Sequence, residues 1–231
     1  MMKTKKWFAV LACAVMAFSC LIITGCGSSG ETEAPAEEPA AATWAESDIP
    51  GEVQAKVDEV KEIAGQIGKE LEGEFGDNYK ALIESGEGEE YEGFAALREQ
   101  LDSARTESGA TYVYAMSPSD GKGMPSLDGD TGEKGAFLIG VDGSEDPDPW
   151  GEDYGWEIQF TEAWNGDVAA ARSAWADTDD MGAELCWSAF APIIDSDGNV
   201  VGIVGVDYPA NEILDFPEWN RDSDSWNGIT E

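Results

Sequence analysis

The 231-residue chain carries 48 acidic residues against 13 basic ones, a net charge of −35, and no histidine. Such a balance repels duplex nucleic acid and anionic bilayer surfaces. The missing imidazole removes Ser-His-Asp and Cys-His nucleophile arrangements, the commonest general base, and zinc sites with imidazole ligands.

Residues 1–25 read as a processing signal, not as part of a fold. MMKTKKWFAVLACAVMAFSCLIITGC opens with three lysines, runs apolar from Trp7 to Thr24 and closes on Gly25-Cys26, and such a segment is set aside from fold reasoning. Ile23-Thr24-Gly25-Cys26 resembles the bacterial lipobox, whose small residues let a signal peptidase cut before a cysteine that becomes diacylated. A plain transmembrane anchor is the alternative, because the run is nearly long enough to span. The small residues ahead of Cys26 and the polar stretch behind it favour the lipoprotein. Acyl chains at Cys26 then hold the chain to the membrane, each buried methylene contributing about 0.8 kcal/mol. Cleavage removes three of the 13 basic and none of the 48 acidic residues, leaving 206 residues at a net −38, enough for one domain with a core. Cys13 and Cys20 leave with the signal and Cys26 is taken by lipid. Cys186 is what remains, so no intramolecular disulfide is expected.

Residues 26–50, first Gly/Ser and then Ala/Glu/Pro, have too little apolar content to fold and read as a disordered tether. From Val53 the apolar residues Val57, Val60, Ala64, Ile67 and Leu71 recur at spacings of four and three, predicting a helix of about twenty residues. Two or three heptads are short for a coiled coil, so the stripe is expected to lie on a sheet. A second helix is predicted over Tyr91–Glu107, with Phe94, Leu97, Leu101 and Ala104 on one face and Gly109 ending it. The period then switches to two. Thr111–Met116 and Ala136–Gly143 read as strands, and Trp156–Phe160 as either a short strand or the start of a helix over Glu162–Trp175, where DVAAARSAW has high helix propensity. Glu184–Ile194 and Val200–Tyr208 form a hairpin around Asp195-Ser196-Asp197-Gly198-Asn199, the Asp-Gly pair supplying the left-handed turn residue. Pro192 places its strand at an edge or leaves that position unpaired. The order predicts an antiparallel α+β domain over residues 51–215, followed by a polar tail over 216–231.

No G-x-S-x-G, G-x-G-x-x-G or G-x-x-x-x-G-K-[ST] occurs, so hydrolase elbows and phosphate-cradling loops are not expected. No carboxylate pair stands out among 48 acids. Asp128-Gly129-Asp130 and the hairpin tip are rich in oxygen ligands, yet neither follows a full calcium loop, and both read as turns. The expectation is a binding protein without catalytic residues, metal or cofactor. Within the last strand Val201, Ile203, Gly205 and Asp207 share a face, so Gly205 leaves an open place beside the carboxylate. Ile139-Gly140-Val141-Asp142 repeats the pattern. Either these pairs are notches with an acid at the edge of a pocket, or the glycines relieve crowding against a helix and the acids cap strand ends.

GATYVYAM, FLIGVDGSEDP, PWGEDYGW and the closing AFAPIIDSDGNVVGIVGVDY together resemble the extracytoplasmic Cache (PDC, PAS-like) sensor domains, in order and spacing, from about Val53 to Leu214. The resemblance implies a PAS-like antiparallel five-stranded sheet, a long N-terminal helix on one face and a small-molecule pocket on the other. It implies that Asp207 holds a ligand ammonium group and that Trp150, Tyr154 and Trp156 form an aromatic lid. With Tyr112, Tyr114 and Asp142 these complete the expected ligand-binding set. The amino-acid-binding subclass has an arginine in its lid segment, whereas none lies between Asp142 and Thr161 here. An amine or quaternary ammonium ligand therefore fits better than a zwitterion. Family members commonly continue into a membrane helix and signalling domain, and this sequence stops after the sensor region. A separate transmembrane signalling or transport protein is the expected partner. A solute-delivery lipoprotein for a transporter, or a surface lipoprotein without a ligand, are the other readings.

Overall fold

The computed structural model describes residues 49–129, 135–177 and 184–226. The signal segment, Cys26 and the tether up to residue 48 lie outside the described residues. Helix α1 spans Gly51–Glu70. Pro50 precedes it, its carbonyl accepting from Gln54 at 2.9 Å, while Glu52 in the first turn and Lys69 in the last suit the helix dipole. Val53, Val60, Ala64 and Ile67 are buried on one face, each large aliphatic side chain stabilising by roughly 1.5–3 kcal/mol. Gly68 lets the helix approach closely, since a Cβ there would sit 2.8 Å from that of Ala191.

Helix α2, Glu74–Ser85, is an element that the sequence expectation lacks. Its Phe75, Tyr79, Leu82 and Ile83 are buried, and Gly86 closes it in the left-handed conformation at φ 65°. Helix α3, Phe94–Ser108, ends at Gly109, φ 76°. Strands β1 (Tyr112–Pro118) and β2 (Phe137–Asp142) follow, then helix α4 (Ile158–Trp164) and strands β3 (Ala169–Asp177), β4 (Glu184–Ile194) and β5 (Val200–Pro209).

The five strands are those expected, but the origin of one of them is a correction. Helix was expected through Glu162–Trp175, but α4 stops at Trp164 and Ala169–Asp177 pairs with β4 as an edge strand. Trp156–Phe160 forms no strand and leads into α4. Helix propensity is a weak prior that tertiary pairing overrides. Here Ala169, Ala170, Ala171 and Ala174 are buried, and Trp187 donates its indole N–H to the carbonyl of Ala171 at 2.9 Å. Small side chains serve that packing, not a helix.

The sheet order is β2-β1-β5-β4-β3, antiparallel throughout, the PAS-like topology with β5 central. Helices α1, α2 and α3 cover one face through Val113, Ala115, Val204 and Val206. Helix α4 covers the other, where Phe160 and Ala163 meet Tyr114, Met116, Ile139, Phe190 and Ile203. Pro192 pairs with Ile203 of β5 and lies beyond the last β3 partner, Ala169 opposite Phe190, so its missing N–H costs no ladder bond on that side.

Two polar clamps fix the ends of the β4–β5 hairpin. At the tip, the buried Asp195 accepts from the amides of Asp197 and Asn199 at 3.1 and 2.8 Å and from Lys80 of α2 at 2.9 Å. The Asn199 amide and Lys80 hold its carboxyl down at about 2. The cluster is a turn, as expected, and Gly198 supplies φ 84°. At the far end, buried Lys56 of α1 bonds Glu59, Glu212 and the carbonyl of Pro209 at 2.6, 2.5 and 3.2 Å. Its ammonium lies 5.2 Å from the centre of the Tyr208 ring.

The polar tail expected from Phe216 is also corrected. Trp219 is buried, Asn220 bridges to Ala174, and the Arg221 amide donates to the Ala174 carbonyl at 3.0 Å. Residues 220–222 therefore lie along β3, the Ala176 amide donating to Asp222 at 2.9 Å.

Candidate functional site

The site face of the sheet is built from cross-strand register. Asp207 of β5 stands opposite Tyr112 of β1 and Ser188 of β4. One step along, Gly205 stands opposite Tyr114 and Phe190, and Tyr114 in turn opposite Asp142 of β2. Asp142 reaches this row because β2 carries an extra residue. Met116 pairs with Ile139 and Ala115 with Val141, leaving Gly140 as the bulge. Gly140 and Asp142 therefore do not share a face, contrary to the strict alternation of the sequence reading. A Cβ at Gly140 would meet the Tyr79 ring of α2 at 2.3 Å, so that glycine makes room for a helix side chain.

Asp207 is only 4 % exposed. Hydroxyl groups are its donors: Tyr114 at 3.3 Å and Ser188, whose oxygen accepts the Trp175 indole N–H at 2.9 Å. No ion pair among the described residues reaches Asp207, Asp142 or Asp148. Removal from water pushes the Asp207 carboxyl up to about 7, against the pull of the Ser188 and Tyr114 hydroxyls and of Arg221, with Asp142 adding to the rise. Asp142, 6 % exposed, is better supplied. Its Oδ1 accepts the Ser144 amide at 2.9 Å and hydroxyl at 2.5 Å, and its Oδ2 the Asp148 amide at 2.7 Å. Burial still raises its pKa. These bonds fold residues 142–148 into a loop whose Asp148 accepts the Tyr154 hydroxyl at 2.9 Å. The Tyr154 ring lies 5.3 Å from that of Tyr114 at a 48° tilt. Both phenols are raised, first by burial and then by the field of Asp207.

The expected residues thus divide. Buried Tyr114, Asp142 and Asp207 come together in one cluster, with half-buried Tyr154 packed against it. Tyr112 adjoins it through its pairing with Asp207 and stacks on Trp175 at 6.4 Å. Trp150 does not join. It packs on Gly88, where a Cβ would sit 2.9 Å from the indole, with the helix-side core. Trp156 is exposed and donates to Thr161 at 2.9 Å. The open place expected at Gly205 is filled as well, since a Cβ there would lie 2.3 Å from the Tyr114 ring. Among the described residues the donors to the Asp207 carboxylate are side-chain hydroxyls of the neighbouring strands, Tyr114 and Ser188.

Sequence reasoning missed Ser188, Trp175, Asp148, Glu157, Gln159 and Arg221. Ser188 was findable as the hairpin partner of Asp207. Arg221 was not, since it comes from the segment read as tail. It pairs with Glu157 at 3.4 Å, and Glu157 also acts on Tyr114. The other Glu157 oxygen accepts the Gln159 amide, and Gln159 is fully buried with its Oε1 left without a hydrogen-bond partner. A separate cleft of about 460 Å³ between the end of α1 and α3, bordered by Glu70, Glu99 and Glu107, holds none of the cluster. No group of three or more Cys, Asp or Glu among the described residues is placed to hold a metal ion.

No known family model matches the chain, and no curated protein matches it. Solved sensor structures are similar. The ligand-binding domain of the Campylobacter jejuni chemoreceptor Tlp3 in complex with L-valine is 16 % identical, covering 71 % of this chain and 64 % of that domain, with a TM-score of 0.34. The same domain in complex with 4-methylisoleucine is 14 % identical over 73 % of this chain and 64 % of the other, TM-score 0.34. The periplasmic sensory domain of the C. jejuni chemoreceptor Tlp1 is 12 % identical over 72 % and 65 %, TM-score 0.29. The chain spans a little under two thirds of those domains. At that distance, their ligands are facts about those receptors.

Proposed function

We propose that the chain is an extracytoplasmic small-molecule sensor module of the Cache type, lipid-anchored through Cys26, that binds a cationic amine at Asp207. The observation that carries the ligand class is a buried carboxylate with hydroxyl donors and no ion-pair partner among the described residues, at the hydroxyl end of Tyr114, whose ring adjoins that of Tyr154. A ligand ammonium supplies the missing countercharge, and each ring face adds roughly 0.5–2 kcal/mol of cation–π attraction. The backbone of residues 151–155 is held to β2 by hydrogen bonds, so admission of a ligand falls to the half-buried Tyr154 side chain swinging outward. Arg221 is engaged by Glu157 and is not offered to a ligand carboxylate, which keeps an amine ahead of a zwitterion. Signal transfer falls to a separate transmembrane signalling or transport protein.

The test is calorimetry with a panel of primary, secondary and quaternary amines on the full chain and on Asp207→Asn. Micromolar to millimolar binding by wild type, lost in the variant, is the expected result. Binding that survives in Asp207→Asn removes the acid from the site, and no binding across the panel leaves a surface lipoprotein without an amine ligand. Co-purification with a permease favours the solute-delivery reading.

A further inference from the structure

We infer that this site exchanges a proton for its cation: the Asp207 cluster holds one proton in the empty state and releases it when an ammonium group enters. The inference rests on the binding reading above and adds a regulation to it, since such a module reports amine concentration and acidity together.

The geometry behind it is a count of charges and donors. Three carboxyl groups lie about Tyr154, Asp207 from β5, Asp142 from β2 and Asp148 from the following loop, and each acts on its phenol. Asp142 has three donors, two of them amides, and Asp148 has the Tyr154 hydroxyl. Asp207 is the most buried of the three, and its donors among the described residues are the Tyr114 and Ser188 hydroxyls. Around it stand Tyr112 and Tyr114 from β1, Ser188 and the buried Cys186 from β4, Trp175 from β3, Tyr154 and Glu157 from the segment before α4, and Arg221 from the C-terminal segment. Lys56, at this end of β5, lies on the α1 side with Pro209 and Tyr208. Arg221 pulls the Asp207 carboxyl downward, yet it is 45 % exposed and shared with Glu157. A carboxylate so placed is uncompensated, and taking up a proton is how a buried acid without a counterion relieves that. Its rise to about 7 agrees. An incoming ammonium restores the countercharge, the O–H bond breaks, and the proton leaves to solvent, so charge is conserved across the exchange.

The experiment uses tetramethylammonium and methylammonium chloride with the full chain. A quaternary ammonium keeps its charge at every pH, so any pH dependence belongs to the protein. Calorimetry in two buffers of different ionisation enthalpy counts the protons released. The expected result is close to one proton per cation at pH 6, falling toward zero at pH 8, with affinity rising about tenfold per pH unit below 7 and levelling above it. Independently of any ligand, carboxyl-carbon NMR of the empty protein, assigned with Asp207→Asn, is expected to show Asp207 titrating near neutrality. A midpoint below pH 5, or cation binding without proton release, overturns the exchange while leaving the amine reading intact. Absence of binding by either cation with a near-neutral midpoint overturns the amine reading and the exchange with it.

Discussion

Asp207→Asn tests the electrostatics of the site without any ligand. The Asp207 carboxyl stands at about 7 in the folded chain against an ordinary 3.8, so the native state binds this proton more tightly than the unfolded chain does. Stability from that difference is fully present below pH 4. It is lost progressively as pH rises, because the unfolded chain ionises first, and the loss is complete a little above pH 7. A displacement of roughly three units at 1.36 kcal/mol each sets a ceiling of about 4 kcal/mol, of which about 2–3 kcal/mol falls between pH 5 and pH 8. Asparagine keeps the shape and stays neutral, so it lacks this dependence. Urea unfolding of both proteins at pH 5 and pH 8 gives the answer, and taking their difference cancels the general repulsion of a chain this acidic. The variant is expected to gain on wild type by up to about 3 kcal/mol over that interval. A variant destabilised by the same amount at both pH values shows that Asp207 is ionised and structurally needed, and refutes the reasoning.

Gly76→Ala is expected to destabilise, although alanine normally gains about 1 kcal/mol over glycine inside a helix. The new Cβ would fall 2.3 Å from the Ile194 carbonyl oxygen, a backbone clash costing about 1–3 kcal/mol or more, and the urea midpoint should drop. Lys56→Met removes the ammonium shared by Glu59, Glu212 and the Pro209 carbonyl. A loss of about 1–3 kcal/mol is expected, with faster amide exchange over 209–219 than elsewhere, and uniform exchange would contradict the clamp. Cys26→Ser is expected to release or mislocalise the protein in membrane fractionation, whereas a variant still fully anchored would refute acylation as the tether.

The local chemistry of the chain was sufficient for much of this. The 4-3 apolar spacing of Val53, Val60, Ala64 and Ile67 specifies α1, the Asp-Gly turn specifies the β4–β5 hairpin, and alternation along β5 puts Asp207 on the face away from α1, α2 and α3. Phe75, Tyr79, Leu82 and Ile83 carried the same kind of signal for α2, obscured by the glycines at 73 and 76. What sequence spacing does not contain is long-range pairing. The alanines of β3 have helix propensity, and only β4 beside them and Trp187 beneath make them a strand. Strict alternation put Gly140 and Asp142 on one face, and a single bulged residue, visible only once β1 and β2 are paired, separates them. Composition made 216–231 a tail, yet Trp219 finds a buried place and Arg221 a partner in Glu157, 64 positions away. The charge of Asp207 was likewise decided in three dimensions. The sequence supplied an acid at a strand end, and folding removed its water, gave it hydroxyls in place of a cation, and so set its proton affinity.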